Sequence, residues 1–273
     1  KVAGLLIEGG GFIGDWFEDN EVYAWGGGAL EWAGERGGTM IVTGAFNLRL
    51  HGLGLFGKEQ AGVGIHLVKA SGWPSGSMEL QNILFDRFGD VALLIGSEDR
   101  NGNCDLTRAW NVRFNQCDTA IRTIQTQSVD HSFRDVQFKG CRIAVHVAGG
   151  GKINLDGVSV ISCQTVLKID RCSAQTNGFW LRAVSVDATG DPPTLVHVGP
   201  DCVSPPRVVI DGLTMARPRT RPLIIAESDC IVELRAATLH APEDLRIQVA
   251  RGARCELILN GTRTIHTARP EGG

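Results

Sequence analysis

Hydrophobic and polar residues alternate in short stretches along much of the chain, and one such stretch recurs nine times. Each copy has an apolar residue, one or two small or polar residues, and then apolar, any and apolar residues, as in LQNILF and FRDVQF. Successive copies are 22 to 30 residues apart. Their small or polar positions are Gly52, Asn82, Asn111, Asp135, Gly157, Ala183, Gly212, Ala236 and Gly261. A recurring short pattern of this kind is typical of stacked repeats, which bury their apolar faces against one another.

A second alternating stretch lies about half a repeat upstream of most copies, as in GIHLV, AVHVA and LVHVG. Its copies contain Ile65, Leu93, Ile121, Val145, Leu167, Val196, Ile224 and Leu245. Alternation with a period of two indicates a strand with one buried face. Two or three short strands in each repeat, without helices, predict an all-β fold. We expect a right-handed parallel β-helix, a single-stranded solenoid with about nine coils stacked roughly 4.8 Å apart.

This prediction divides the chain into an N-terminal cap segment with glycine-rich turns (residues 1–38), the parallel β-helix (residues 39–268) and a short tail (residues 269–273). Small residues at the bends between strands meet a steric need, because glycine and asparagine tolerate positive φ. The alternative is a sandwich of two sheets, which predicts hairpins closed by two-residue N-G or D-G turns. A sandwich does not predict nine copies of one pattern in register.

Two glycine-rich stretches match nucleotide-binding motifs but lack the necessary context. Residues 9–14 match G-x-G-x-x-G, and residues 52–58 match G-x-x-x-x-G-K. The first motif binds a pyrophosphate only where a helix begins at the glycines, and no helical pattern follows it here. The second has Glu59 where a P-loop needs Ser or Thr to hold magnesium. Both stretches are therefore interpreted as turns in a chain with 35 glycines.

Charge and hydropathy narrow the range of partners. The net charge is −3 and no basic stretch is large enough to bind a phosphate backbone, so no nucleic acid partner is expected. No apolar run is long enough to cross a bilayer and no signal-peptide pattern precedes the fold, so no membrane association is expected. Because the sequence starts at Lys1, removal of an upstream segment, and with it secretion, stays open.

The eight cysteines support the register of the repeats. Cys117, Cys141 and Cys163 each follow the last apolar residue of their repeat by three positions, with Phe88 in the same place one coil earlier. We expect an inward-facing ladder of small side chains, at a spacing that also permits disulfides. The absence of a C-x-x-C pair argues against a structural zinc site. Mostly free thiols favour folding in a reducing compartment.

Repeats of unequal length indicate where a binding site lies, because insertions in stacked repeats map to one face. The long repeats carry their extra residues just after the upstream strand, at residues 69–77, 96–103, 171–177 and 199–206. Between the second and third insertions lie two short coils, whose corners are residues 125–128 and 149–151. The sequence therefore predicts a trough about two coils wide, roughly 10–15 Å at the strand spacing.

One column of side chains is expected to form the floor of this trough, because the residue between two inward apolar residues faces outward. The column consists of His66, Leu94, Arg122, His146, Lys168, His197, Ile225 and Arg246. From Arg122 to His197, neighbouring charges would repel by roughly 3 kcal/mol, so the lysine and both histidines should lose protons easily. A vacant cationic row is expected to bind an anion. The alternative is a solvated face on which charges prevent association between sheets.

Further polar residues stand near the predicted trough. Asp130 and His131, on the next strand of a short coil, either border the trough or form a polar bend. Calcium is the one cofactor considered, because carboxylates are its usual ligands, although no spacing requires it here. The carboxylates concerned are Glu98, Asp99, Asp118 and Asp170.

The stretch EWAGERGGTMIVTG (residues 31–44) and the repeated endings GVSVISC and NVRFNQC resemble the pectate-lyase-like superfamily of parallel β-helices. The likeness covers most of the chain but rests on a repeat, not on catalytic motifs. It implies a lyase of acidic polysaccharides with Arg or Lys as base. Of the motifs of polygalacturonase-like hydrolases only N-x-D is matched, by residues 103–105, so hydrolysis is not expected. The superfamily also implies a cell surface, extracellular or virion location.

Two functions stay open, and the sequence does not decide whether the chain is an enzyme. In the first, the protein binds or acts on an acidic polysaccharide, with β-elimination as the reaction. Arg122 would neutralise the uronate carboxylate, and Lys168 or His146 would abstract the adjacent proton. The other predicted substrate-binding residues are His66, Asp130, His131 and His197. In the second, the chain is a structural, non-catalytic module of a phage tail or bacterial surface, for which a homo-oligomer such as a trimer is expected.

Overall fold

The computed structural model describes residues 6–9, 12–17, 22–26, 28–44, 47–69, 76–97, 104–125, 128–172, 178–187, 192–215, 221–239 and 245–267. Within these ranges the chain forms strands and turns and contains no helix, hence none that could cross a membrane. All described strand pairs but two are parallel, and they join consecutive coils. The predicted all-β fold of stacked parallel coils is confirmed.

One sheet consists of nine short strands, each paired in parallel with the strand one coil away. They are β5 (Thr39–Thr43), β7 (Val63–Leu67), β9 (Val91–Ile95), β11 (Thr119–Thr123), β13 (Ile143–Val147), β15 (Thr165–Ile169), β17 (Thr194–Val198), β20 (Ile224–Ala226) and β22 (Ile247–Val249). In β7, Ile65 and Leu67 are fully buried, and His66 between them is partly exposed. The period-two alternation therefore separates core from surface as predicted.

The second sheet consists mainly of longer strands, most of which continue through a bend. These are β6 (Leu48–Phe56), β8 (Gly76–Asp86), β10 (Cys104–Asn115), β12 (His131–Lys139), β14 (Ile153–Ile161), β16 (Gly178–Asp187), β18 (Arg207–Asp211), β19 (Thr214–Met215), β21 (Cys230–Arg235) and β23 (Arg254–Leu259). Register partners come from consecutive coils, as in the pair Trp110 and Arg134. Each coil therefore contributes two outward faces from its long strand and one from its short strand.

The bends lie at the small or polar residues that the repeat pattern marks. Backbone φ is positive at all nine positions, from 46° at Ala236 to 89° at Gly261. Glycine adopts this left-handed region without strain, and Asn and Asp visit it more readily than other residues. Neighbouring bends are also linked, because the Asn111 side chain donates a hydrogen bond of 2.7 Å to that of Asn82. One left-handed residue thus turns the chain from one face to the next.

Columns of similar side chains, stacked from coil to coil, fill the interior. The rings of Phe85, Phe114 and Phe138 stack with centroids 4.9 and 5.4 Å apart. The cysteines of the predicted ladder are buried, and their thiols donate to backbone carbonyls, as Cys141 does to Phe114 at 3.8 Å. The inward-facing cysteine ladder is therefore confirmed, and all eight cysteines are free thiols.

The first coil is interrupted where later coils bend. β1 (Leu6–Glu8) pairs with the first half of β6, and β4 (Gly28–Glu31) pairs with the second half, so parallel pairing begins before Thr39. Between them the chain inserts an antiparallel hairpin of β2 (Phe12–Phe17) and β3 (Val22–Gly26). A Cβ atom on Gly9 would lie 2.3 Å from the carbonyl oxygen of Gly52, so this junction requires glycine. The G-x-G-x-x-G stretch therefore leads into a strand and not into the helix of a dinucleotide site.

The ninth copy of the repeat pattern differs from the other eight. β24 (Thr262–Thr267) runs antiparallel to β23, so Asn260 and Gly261 close a hairpin. Both residues are left-handed, with φ of 46° and 89°, as in the two-residue turns that Asn-Gly favours. The interpretation of this copy as another coil bend is wrong, because a coil bend uses one left-handed residue and keeps the next strand parallel.

The bend geometry predicts the effect of two substitutions. Gly157→Val should destabilise the fold by about 2 kcal/mol or more, because a β-branched residue is strained at a φ of 66°. A Cβ atom there would also lie 2.8 Å from Asp135 Oδ1. The matched control, Ala183→Gly, removes strain at a φ of 48° and should raise stability by up to about 1 kcal/mol. Urea unfolding followed by circular dichroism measures both, and an unchanged midpoint for G157V would contradict the role of the bend.

Candidate functional site

The predicted column of outward side chains is present on the sheet of short strands. Its register pairs run from His66 and Leu94 through four consecutive residues, which we call the row: Arg122, His146, Lys168 and His197. The side chains of the row are 13–28% exposed. One predicted member is wrong, because the register of β22 places Gln248, not Arg246, beside Ile225.

Carboxylates neutralise the centre of the row. Arg122 Nη2 lies 2.9 Å from Asp90 Oδ1. Asp170 Oδ2 lies 2.7 Å from His146 Nε2 and accepts a hydrogen bond of 3.1 Å from Lys168 Nζ. Burial alone would raise the pKa of Asp170, but these two hydrogen bonds together hold it below its ordinary value. Burial lowers the pKa of His146, against the opposing effect of Asp170, so its imidazole is neutral near pH 7.

The other two histidines of the column lie near acceptor groups. His66 Nε2 lies 2.8 Å from the carbonyl oxygen of Gly96, within hydrogen-bond distance. His197 Nε2 lies 3.6 Å from Glu227 Oε1 and makes no hydrogen bond with a described residue. The prediction of a vacant cationic row is therefore wrong. Two carboxylates from the corners of the coils, Asp90 and Asp170, balance the charges of Arg122 and Lys168.

The walls of the predicted trough lie mostly outside the described residues. Of the four insertions, only residues 199–206 are described throughout. Most of residues 69–77, 96–103 and 171–177 falls outside, as do two residues of the corner 125–128. The trough therefore stays a prediction, with the row as its expected floor.

Asp130 and His131 occupy different environments. Asp130 is exposed, with a φ of 62°, at the corner before β12. His131 is fully buried in the inward column that continues with Ile153 one coil later. Burial lowers its pKa to about 4. The predicted substrate-binding role of His131 is wrong, because the alternation of β12 turns this side chain into the core.

The carboxylates considered for calcium are engaged in other contacts or lie outside the described residues. Arg142 donates to both oxygens of Asp118 at 2.6 and 2.7 Å, and Asp170 belongs to the row. Glu98 and Asp99 are outside the described ranges. No group of three or more His, Cys, Asp or Glu side chains that could hold a metal ion occurs among the residues that the structure describes.

A second candidate site, absent from the sequence interpretation, lies on the first halves of four consecutive long strands. We call it the tryptophan face. Its outward residues are Arg108 and Trp110 on β10, Ser132 and Arg134 on β12, Asn154 and Asp156 on β14, and Trp180 and Arg182 on β16. The residues between each pair are buried: Ala109, Phe133, Leu155 and Leu181. The pattern R-x-W, S-x-R, N-x-D, W-x-R before each bend is the sequence signal that identifies this face.

Two adjoining grooves cross the tryptophan face. One has a volume of about 640 Å³ and is lined by Arg108, Trp110, Ser132, Arg134 and Asp135. The other, of about 290 Å³, extends from Ser132 and Arg134 to Trp180. Because the grooves share Ser132 and Arg134, they form a continuous surface from β10 to β16.

The tryptophan face differs from the row in its charge balance. The cations that line its grooves form no ion pair with any described residue; they are Arg108, Arg134, Lys152 and Arg182. Two carboxylates, Asp135 and Asp156, line the same grooves. Four cations against two carboxylates leave a formal charge of +2 on a protein whose net charge is −3.

The two tryptophans of this face are partly exposed and held by neighbouring side chains. The guanidinium carbons of Arg182 and Arg235 lie 5.9 and 5.6 Å from the ring centroid of Trp180, within the range of cation–π attraction. The Trp110 ring lies 6.2 Å from the ring of His51. These contacts restrict both indoles, and both tryptophans stay partly exposed.

Comparison with protein-family models, with curated proteins and with solved structures gives no match for this chain. The resemblance to the pectate-lyase-like superfamily is therefore supported only as far as the stacked parallel coils. A fold of this kind hosts many activities, so the function has to be argued from the side chains of the site.

The burial of His131 predicts a pH-dependent stability. Its pKa is about 4 in the folded protein and about 6.5 in an unfolded chain, so the unfolded state binds more protons between these values. The free energy of unfolding should therefore fall as pH drops from 6.5 to 4, by roughly 3 kcal/mol from this residue. His131→Leu should lose that contribution. Urea unfolding of both proteins between pH 7 and pH 4 measures it, and parallel pH profiles would contradict the prediction.

Proposed function

We propose that this protein binds an acidic polysaccharide on the tryptophan face. The observation that carries the proposal is the set of four cations without an ion-pair partner among the described residues, lying in continuous grooves between two partly exposed tryptophans. Binding sites for sugars need apolar surface together with a few well-placed polar groups. The tryptophan face offers both on one rigid sheet.

Each component of this face matches a part of an acidic sugar. Indole rings such as Trp110 and Trp180 offer flat apolar surface for the C–H faces of a pyranose, and their N–H group is an additional donor. Guanidinium groups bind carboxylates through two parallel hydrogen bonds, which supports Arg108 and Arg134 as contacts for uronate groups. Ser132, Asn154 and Asp156 supply donors and acceptors for hydroxyl groups.

Charge balance favours the tryptophan face over the row as the binding surface. An anionic ligand at the row would have to displace Asp90 or Asp170 from its present partner. At the tryptophan face the cations are already free of described carboxylates. The electrostatic part of binding is therefore gained there without breaking an existing ion pair.

A second candidate function is β-elimination at the row, because Arg122, His146 and Lys168 lie on three consecutive strands. In that reaction Arg122 would neutralise the uronate carboxylate, and Lys168 or His146 would remove the adjacent proton. Asp170 would accept hydrogen bonds from both candidate bases. His66, Asp130 and His197 would contribute to substrate binding around them.

Substitutions on the two outward faces distinguish the sites. Trp180→Ala should weaken binding of pectate, alginate or a glycosaminoglycan about tenfold, since a stacking contact of about 1.4 kcal/mol is lost. Arg134→Gln should weaken it roughly threefold, as for an exposed ion pair. Isothermal titration calorimetry at low ionic strength measures these changes, and thermal melting checks that each variant is folded.

The matched control is Arg122→Gln on the row, which should leave this affinity unchanged. If R122Q abolishes binding while R134Q and W180A do not, the ligand binds at the row and the assignment to the tryptophan face is wrong.

Lyase activity at the row has its own readout. Elimination next to a uronate carboxylate creates a conjugated double bond, so the reaction produces an increase in ultraviolet absorbance. Under the second candidate function, Lys168→Met should reduce the initial rate at least about a hundredfold, the usual range for loss of a general base. Trp180→Ala should affect the Michaelis constant at most. If absorbance does not change on pectate, alginate or glycosaminoglycans, elimination loses its support. That result would not contradict the proposed binding function.

A further inference from the structure

The cations of the tryptophan face, which form no ion pair with any described residue, occur on consecutive coils of the stack. Arg108 lies on β10, Arg134 on β12, Lys152 directly before β14, and Arg182 on β16. Four consecutive coils therefore carry one such cation each. Along the stack axis the cations follow one another at the strand spacing of roughly 4.8 Å. Across the strands they are staggered, because Arg134 and Arg182 share the column of Asp156, whereas Arg108 lies in the column of Asn154 and Lys152 two residues before it.

The tryptophans mark the two ends of this arrangement. Trp110 lies on the first of the four coils and Trp180 on the last. Three strand spacings separate these coils, a distance of roughly 14 Å. The outward residues of β12 and β14 between them are polar, so the surface from one indole to the other is continuous and hydrophilic.

The neighbouring coils do not continue the pattern. On β8, Glu79 occupies the register position beside Arg108, and it lies 3.1 Å from His51 and 3.8 Å from Arg49. On β18, the register partners of Trp180 and Arg182 are Val209, which is buried, and Asp211, which is a carboxylate. Among the described residues, the run of unpaired cations is thus limited to four coils.

We infer that the polysaccharide lies lengthwise along the stack, from Trp110 to Trp180, with one anionic group for each coil that it crosses. This inference rests on the proposed function. A sugar residue in an extended chain is about as long as one strand spacing, roughly 4.8 Å, so a segment of about four residues reaches both indoles. A chain laid across the coils would meet the cation of one coil and a single tryptophan.

The expected ligand is therefore an internal segment of a polyanion with a charge on every sugar residue. A monosaccharide or a chain end would occupy only one of the four cations. A glycan with a charge on every second residue would leave alternate cations without a partner. Both should bind more weakly than a uniformly charged chain of the same length.

Titration calorimetry with size-defined oligouronates of two to eight residues tests this arrangement. Affinity should rise with each residue up to about four, roughly two- to fivefold each time as for an exposed ion pair, and then level off. Tetramers with alternate carboxylates methyl-esterified should bind roughly tenfold more weakly than fully charged tetramers. Trp110→Ala and Trp180→Ala should each weaken binding of the tetramer. Trp110→Phe, which keeps an aromatic ring, should retain most of the wild-type affinity.

The outcomes separate this inference from the proposed function. If no oligomer of any length binds, the proposed function is wrong and the inference is wrong with it. If a disaccharide already binds with full affinity, or if half-esterified and fully charged tetramers bind equally, the protein is a glycan-binding protein but the lengthwise arrangement is overturned. The control variant Arg254→Gln, at an exposed arginine of β23 outside both candidate sites, should follow the wild-type length dependence throughout.

Discussion

The structure depends on parallel backbone hydrogen bonds between consecutive coils. The amide of Thr119 bonds to the carbonyl of Asp90 at 2.8 Å, and the amide of Ile143 bonds to that of Asp118 at 3.0 Å. This ladder fixes each residue beside its counterpart one coil earlier, so residues more than twenty positions apart become neighbours. A slip of one residue would turn the core side chains outward. Insertions are therefore confined to corners, and outward side chains stay aligned in columns from coil to coil.

The bends show how far sequence predicts this fold. A coil bend needs one residue that tolerates positive φ, and the repeated small or polar residues meet that need at eight positions. The same reasoning cannot separate Asp156-Gly157 from Asn260-Gly261, since both pairs suit a tight turn. The difference is that Gly157 alone is left-handed in the first pair, whereas both residues are in the second. Which form occurs depends on whether the following segment pairs in parallel, a tertiary property that local sequence does not contain.

The sequence also predicts the candidate sites only in part, because it gives the positions of strand residues but not those of corner residues. Alternation and register together place Arg122, His146 and Lys168 in one column, and the structure has them there. The carboxylates that neutralise these cations could not be placed in the same way. Asp90 and Asp170 lie at corners, where an alternation with a period of two no longer gives the direction of a side chain. An argument from repulsion within the column alone therefore missed the neutralisation. The inward position of His131 and the outward residues before each bend, in contrast, follow from the same alternation applied to the long strands.

The two outward faces use one scaffold in opposite ways. On the sheet of short strands, cations and carboxylates of neighbouring coils satisfy one another, so this face gains little from an added anion. On the tryptophan face, cations recur from coil to coil without described carboxylate partners, and the local positive charge stands out against a protein that is negative overall. A surface of this kind attracts a polyanion during diffusion and discriminates by position, because its cations are fixed on a rigid sheet. After the first contact forms, each further contact along a linear ligand is made within the same complex and costs less entropy than a separate binding event. A stack with a constant repeat distance is therefore suited to a polymer whose own repeat is similar, and a compact fold without such columns would have to build each subsite independently.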